Sequence, residues 1–263
     1  MTAEILLDKH KVRRSFAAAA AGYDSLASLQ RQVGLELLRR FPLHGRDEVI
    51  VDLGCGTGFL THQLAANPLR QQLLALDVAM PMLAASRRNY PAMRADYVCG
   101  DAEKLPFADN SIDRIYSNLA LQWAQELSAA LLDFQRVLKS RGSLVFATFG
   151  PQTLVELKAA WSVVDDYTHV NDFHTADQIE WFLQVAGFEG INVDSVLYRS
   201  EYSDVETLMR ELKGIGAHNV NRKRNPRPTT KTQLQEMIKH YPRQGAGILA
   251  SYEIIFVRAE LSA

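Results

Sequence analysis

Two cysteines in 263 residues, Cys55 and Cys99, form no CxxC pair. That spacing excludes a disulfide scaffold or a thiolate zinc site and makes a reducing cytoplasm the expected compartment. Long apolar runs are equally scarce. No stretch approaches the ~20 residues that cross a bilayer, and the alanines at 17–21 are too short and weakly apolar for a secretory signal. No membrane partner is therefore expected. Net charge is almost absent, at a formal −1, so there is no overall basic field of the kind that gathers nucleic acid. Histidine, aspartate and glutamate show no metal-ligand spacing, and His169, Asp172 and His174 read as a loop preceding a helix cap rather than as a metal site.

What the chain does have is core, with 47% hydrophobic residues, enough for one large domain or a domain with an insertion. Its organising stretch is Val49 to Leu60, VIVDLGCGTGFL. A β-branched and aliphatic run ends in Asp52, and Gly54, Gly56 and Gly58 follow at alternate positions around Cys55. The spacing predicts a buried strand, a tight turn and the first turn of a helix. Glycines at a strand's carboxyl end let a ligand approach the main chain. The GxGxG spacing departs from the GxGxxG of dinucleotide sites.

Two more apolar runs end in acids. Gln72 to Val78 (QLLALDV) carries Asp77 roughly 20 residues after the glycine loop, where a Rossmann-like sheet places a ribose-binding carboxylate. Tyr97 to Asp101 (YVCGD) carries Asp101, followed by Ala102. Carboxylates at three adjacent strand ends would repel a polyphosphate, whereas a sulfonium, an ammonium, a diol and an adenine amine all welcome acceptors. Ser111 to Trp123 (SIDRIYSNLALQW) predicts a fourth strand opening into an aromatic-tipped loop with Asn118, Gln122 and Trp123, and Ser143 to Phe149 a fifth.

Around these, Ser28 to Phe41 has helical spacing, as does Leu127, Leu131, Phe134 and Leu138, with Gly142 as that helix's expected C-cap. Thr175 with Gln178 predicts a capping box, and Ile191–Tyr198 and Ile248–Leu261 read as the last two strands, paired antiparallel. Between them lies an insertion too long for a turn. Capping boxes at Ser203/Glu206 and Thr232/Gln235 predict two amphipathic helices, joined by a glycine-bearing and basic loop that includes Arg222, Lys223, Arg224 and Arg227. The expected organisation is a helical cap over 1–45, a core over 46–202 and 248–263, and a helical lid over 203–247.

The motif at Asp52–Gly58 resembles motif I of the class I S-adenosylmethionine-dependent methyltransferases. That resemblance implies an α/β fold with a mostly parallel, seven-stranded Rossmann-like sheet whose last strand is antiparallel. More specifically, the chain is similar to the malonyl acyl-carrier-protein O-methyltransferases of biotin synthesis. The residues that carry this are VRRSF with AGYD (Val12–Asp24), DLGCGTG (Asp52–Gly58), GDAEKLPF (Gly100–Phe107), SNLALQW (Ser117–Trp123) and LKGIGAHNVN (Leu212–Asn221).

The resemblance implies S-adenosylmethionine as methyl donor, S-adenosylhomocysteine as product and no metal. Cofactor contacts are expected at Asp52, Gly54, Cys55, Gly56, Gly58, Asp77, Val78, Asp101, Ala102 and Asn118. Tyr23, Trp123, His218 and Asn219 are expected to orient the acceptor, with no residue serving as general base, because a carboxylate is already ionised at neutral pH. The acceptor would be malonyl thioester on acyl carrier protein, with malonyl coenzyme A as a substitute, and the late basic loop would meet the acidic carrier. Two rivals remain: another class I methyltransferase acting on a small carboxylic acid or quinone precursor, for which His218 or Tyr23 would serve as base, and a catalytically silent binding module.

Overall fold

The structure, a computed structural model, describes residues 7–43, 48–66, 72–217 and 227–263. Its centre is an eight-stranded sheet ordered β3-β2-β1-β4-β5-β8-β6, with β7 paired to β8 alone. Strands β1 (Val49–Leu53), β2 (Gln72–Asp77), β3 (Asp96–Cys99), β4 (Ile112–Asn118) and β5 (Leu138–Phe149) run parallel to one another. β8 (Gly247–Glu260) runs antiparallel between β5 and β6 (Glu189–Tyr202). The expected seven-strand path is thus present. The two-residue β7 (Arg243–Gln244) is an addition, folded onto the start of β8.

The apolar runs are continuous rather than alternating because helices cover both faces, as parallel sheets require. Ile50, Val51 and Leu53 of β1 are all at most 1% exposed. On one face Ile50, Tyr116 and Phe256 pack with Leu37, Leu64 and Trp161, which lie on α3 (Ser28–Arg40), α4 (Phe59–Ala65) and α7 (Val155–Ser162). On the other, Val51, Leu53 and Phe146 pack with Phe134 of α6 (Leu127–Val137) and Leu183 of α8 (Ala176–Val185). Strand order reverses between β1 and β4, so their connections leave in opposite directions and open a crevice at the carboxyl edge.

The amino-terminal helices α1 (Lys9–Ala19) and α2 (Tyr23–Leu26) lie at that edge beside α5 (Met80–Asn89). Between β6 and β8 come α9 (Val205–Gly214) and α10 (Lys231–His240). Gly214 and Gly216 are points of close packing rather than loop slack. A Cβ on Gly214 would stand 2.1 Å from Leu26, and one on Gly216 3.1 Å from the Ser15 carbonyl oxygen.

Several local expectations shift. The Thr175/Gln178 box forms as read. The cap of α9 is Asp204, whose carboxylate accepts the Thr207 N–H at 2.7 Å, not Ser203. The box of α10 is Thr230/Gln233, two residues earlier than Thr232/Gln235; a threonine-rich run offers both spacings, and the helix starts at the first. Gly142 caps nothing. α6 passes directly into β5 through the extended Leu138, and Gly142 sits inside β5 at a register shift, where a Cβ would meet the Lys139 carbonyl oxygen at 2.7 Å. No helix among the described residues is long and apolar enough to cross a membrane.

Candidate active site

The glycine loop forms the floor of the crevice. Gly54, Gly56 and Gly58 have φ of 71°, 54° and 91°, a region that favours glycine. The three differ in what a side chain would strike. A Cβ on Gly54 would lie 2.3 Å from the Ala120 Cβ and one on Gly58 2.0 Å from Ser86 Oγ, while one on Gly56 meets no protein atom within 4 Å. Gly54 and Gly58 therefore serve packing, and Gly56 faces open space.

Asp77 is 8% exposed. Its carboxylate accepts the Gly56 N–H at 3.0 Å and the Ala79 N–H at 2.8 Å, one on each oxygen. This ties the glycine loop to the end of β2 and leaves each oxygen a further lone pair toward the crevice. Burial raises the Asp77 pKa against the lowering effect of these bonds.

Asp52 is not in the crevice wall. It is 1% exposed beneath the loop and accepts the Thr61 hydroxyl at 2.5 Å, bordering a smaller pocket shared with Asp24, Gly56 and Asn118. Burial, aided by the charge of Asp77, pushes its carboxyl up to about 7. A raised carboxyl pKa gives stability that is full below the unfolded value and is lost as pH rises through about 7. The ligand-free protein should accordingly lose melting temperature between pH 4 and pH 7 more steeply than Asp52→Asn. A cationic ligand beside this pair should release a proton and bind more tightly as pH rises from 5.5 to 7.5, by about tenfold per unit at most. Calorimetry in buffers of different ionisation enthalpy reads that proton directly.

The cavity above the loop, about 130 Å³, brings together Gly54, Gly56, Asp77, Val78, Asp101, Ala102, Asn118, Tyr23 and Trp123. Gly58 and Cys55 stand outside its lining, Cys55 buried at 7% exposure. Asn118 donates its amide to the Gln30 carbonyl at 2.8 Å, while its Oδ1 is buried with no hydrogen-bond partner. Gly34 leaves room for this side chain, since a Cβ there would sit 3.1 Å from Asn118 Nδ2. The next residue, Leu119, has φ of 51° and also lines the cavity, a conformation costing about 1–2 kcal/mol for an L-residue.

Asp101 has company that sequence did not reveal. Lys9 of α1 reaches it at 2.8 Å and Glu103 at 3.0 Å, which lowers the Asp101 pKa against a burial effect that raises it. Val12 and Phe16 of the same helix line the cavity, and Phe16 meets Trp123 edge-on with ring centroids 5.4 Å apart.

Tyr23 is held over the crevice by its neighbour. Asp24 accepts the Thr57 hydroxyl at 2.7 Å and the Asn89 amide at 2.5 Å, and pairs with Arg31 at 3.3 Å. Burial, then the Asp77 and Asp24 charges, push the Tyr23 phenol well above its ordinary value, so it stays protonated at neutral pH.

Trp123 also lines a second, larger cavity of about 600 Å³. Its walls include Gln122, Phe149, Trp161, Phe173 and Tyr252, with Arg210, Lys213 and Arg227 also on its lining. His169 lies flat on Trp161, centroids 3.8 Å apart, with Nε2 2.7 Å from Asp165. α7 and the loop at 165–173 have no motif that would have announced them. Among the described residues no group of three or more His, Cys, Asp or Glu is placed to hold a metal. His218, Asn219, Arg222, Lys223 and Arg224 lie outside the described residues.

Residues 51–146 match a family model described as a methyltransferase domain. The chain is 41% identical over 258 residues to malonyl-[acyl-carrier protein] O-methyltransferase of Methylococcus capsulatus, covering 96% of this chain and 94% of that protein. It is 42% identical over 253 residues to the biotin biosynthesis bifunctional protein BioHC of Cellvibrio japonicus, covering 95% of this chain and 50% of that longer protein. A solved structure, phosphoethanolamine N-methyltransferase 2 of Haemonchus contortus in complex with S-adenosyl-L-methionine, shares the fold with a TM-score of 0.60 at 15% identity, covering 94% of this chain and 57% of that one. With this fold and this full-length similarity, the chain belongs to the malonyl-[acyl-carrier protein] O-methyltransferase family of class I S-adenosylmethionine-dependent methyltransferases.

Proposed function

We propose that the protein methylates the free carboxylate of malonyl thioester on acyl carrier protein, an early step of biotin synthesis. The observation that carries this reading is Trp123, a wall common to the glycine-floored cavity and the larger apolar one. Two chambers meeting at one side chain suit a donor and an acceptor that react where they touch.

The first chamber fits the donor. Asp77 offers a buried carboxylate to a ribose diol, and the unpartnered Asn118 Oδ1 is an acceptor awaiting a donor. Gly56 leaves free the volume that a side chain would occupy. S-adenosylmethionine supplies an electrophilic sulfonium methyl and departs as S-adenosylhomocysteine, chemistry that needs no metal. Val78, Ala102, Leu119 and Phe16 supply apolar surface, and the Lys9 pair fixes Asp101 at the rim.

The second chamber suits the acceptor. The malonyl carboxylate enters ionised, so the chain's task is to align it, exclude water and avoid stabilising its charge. Charge is neutralised as the ester forms, and a wall of Trp161, Phe149 and Phe173 favours that change over the charged ground state. Tyr23, whose phenol burial pushes up, is poorly suited to act as a base and serves to enclose the reacting groups instead.

Tyr23→Phe should therefore keep turnover within about tenfold of wild type, while Tyr23→Ala should lose about 100-fold by misplacing the reactants. With saturating cofactor, kcat should stay flat from about pH 6.5 to 8.5. A second reading, methylation of a protonated nucleophile, draws on the His169–Asp165 pair beside the larger cavity. A fall of kcat below pH 7 that disappears in His169→Gln would favour it.

The deciding experiment offers labelled cofactor to malonyl carrier protein, malonyl coenzyme A and free malonate in parallel. Base-labile label on the carrier protein supports the reading. Turnover of a quinone precursor with none of the three malonyl acceptors would refute it.

A further inference from the structure

Asn171 is 7% exposed and lines the larger cavity. Its Oδ1 is buried with no hydrogen-bond partner. Around it the cavity is aromatic: Trp161 lies under His169, and Phe149 and Phe173 have ring centroids 5.6 Å apart. An amide oxygen buried unpaired in such a setting is destabilising for the free protein. Two other polar side chains on the lining are already committed. His169 is bonded to Asp165, and Gln122 donates to the Leu119 carbonyl at 2.6 Å.

The cavity is also larger than a malonyl group needs. A three-carbon diacid would leave most of about 600 Å³ to other atoms, and the lining extends from Trp123 to Lys213 and Arg227. The thiol arm common to acyl carrier protein and coenzyme A is a flexible chain of short apolar segments interrupted by secondary amides. Each amide brings one donor and one acceptor into the protein and loses water on entry. An Asn side chain presents the complementary acceptor and donor.

Resting on the function proposed above, we propose that the larger cavity is the seat of this amide-bearing arm and that Asn171 pairs with one of its amides. Asn171 thereby selects acyl groups carried on such an arm over free diacids and simple thioesters. Binding energy gathered along the arm, remote from the methyl group, holds the carboxylate at Trp123. The apolar wall cannot supply this selectivity, because it receives any chain of similar bulk, whereas an unpaired buried amide oxygen discriminates against a ligand lacking its donor.

The test measures kcat and KM on malonyl carrier protein, malonyl coenzyme A and the S-ethyl thioester of malonate, which has no amide. Wild type, Asn171→Leu and Asn171→Ser are compared, the serine variant serving if leucine impairs folding as judged by circular dichroism. Expected is a rise in KM of about tenfold for both arm-bearing substrates, kcat within threefold, and kcat/KM on the ethyl thioester unchanged within twofold. A rise for the carrier protein alone, with coenzyme A unaffected, would place Asn171 at a protein contact and overturn the inference. Equal losses on all three substrates, or unchanged KM on both arm-bearing ones, would overturn it too while leaving the methyltransferase reading standing. Absence of wild-type turnover on any malonyl thioester would overturn both.

Discussion

Gly56→Val is expected to abolish measurable binding of S-adenosylmethionine while the protein still folds. The two halves of that expectation have separate causes. A Cβ at this position meets no protein atom within 4 Å, so the core is not disturbed. The residual cost is that of a β-branched residue at φ of 54°, about 1–3 kcal/mol. The side chain would project into the volume bounded by Asp77 and Asn118, where no protein atom can move aside to relieve a ligand. Affinity should fall by at least about 100-fold, roughly 3 kcal/mol, in calorimetry on a variant whose circular dichroism is native. The same change at Gly58 should instead impair folding, because its Cβ would fall 2.0 Å from Ser86 Oγ. If Gly56→Val bound the cofactor normally, the open face of the loop would not be the donor site.

Asp77→Asn should be the next most damaging. Truncation to alanine would be a poorer test, because the carboxylate also holds the Gly56 and Ala79 N–H groups. Alanine would release the glycine loop and blur the cause. Asparagine keeps the shape and one acceptor, but it loses the charge and presents an N–H₂ to one of two backbone donors. Loss of charge-assisted bonds to a diol, at about 1.5–3 kcal/mol each, predicts roughly 10- to 100-fold weaker cofactor binding. Thermal stability is a useful control. Because burial raises the Asp77 pKa, loss of the charge itself should cost the ligand-free protein little beyond the one backbone bond given up, about 1–3 kcal/mol, and the protective effect of added cofactor on Tm should shrink sharply. An undiminished cofactor-induced rise in Tm would remove Asp77 from the donor site.

The glycine loop and the acid ending β2 were legible because each is local, while the mostly parallel order was implied by the family resemblance. A strand, a turn and a helix start lie within twelve consecutive residues, and physical chemistry assigns them together. Legibility ended where partners are distant in the chain. Lys9 and Asp101 are separated by 92 positions, and nothing in the spacing of either foretells the other. Asp52 ends an apolar run as the other two acids do, but its side chain alternates to the Thr61 side and is buried there, which the run alone does not foretell. The larger cavity was invisible because its aromatic wall is assembled from α7, the 165–173 loop, β5 and β8, none of which bears a motif. Caps slipped by one or two residues where Ser–Asp and repeated threonines offered neighbouring solutions of similar energy.

The two glycines after Leu212 carry one more consequence. Gly216 lies against the Ser15 carbonyl of α1, and Gly214 against Leu26 of α2. α1 in turn clasps Asp101 and Glu103 through Lys9. The amino-terminal helices and the end of α9 therefore meet along a single close-packed seam. Bulk added at either glycine would therefore be felt on both sides of Trp123, which lines the two cavities together.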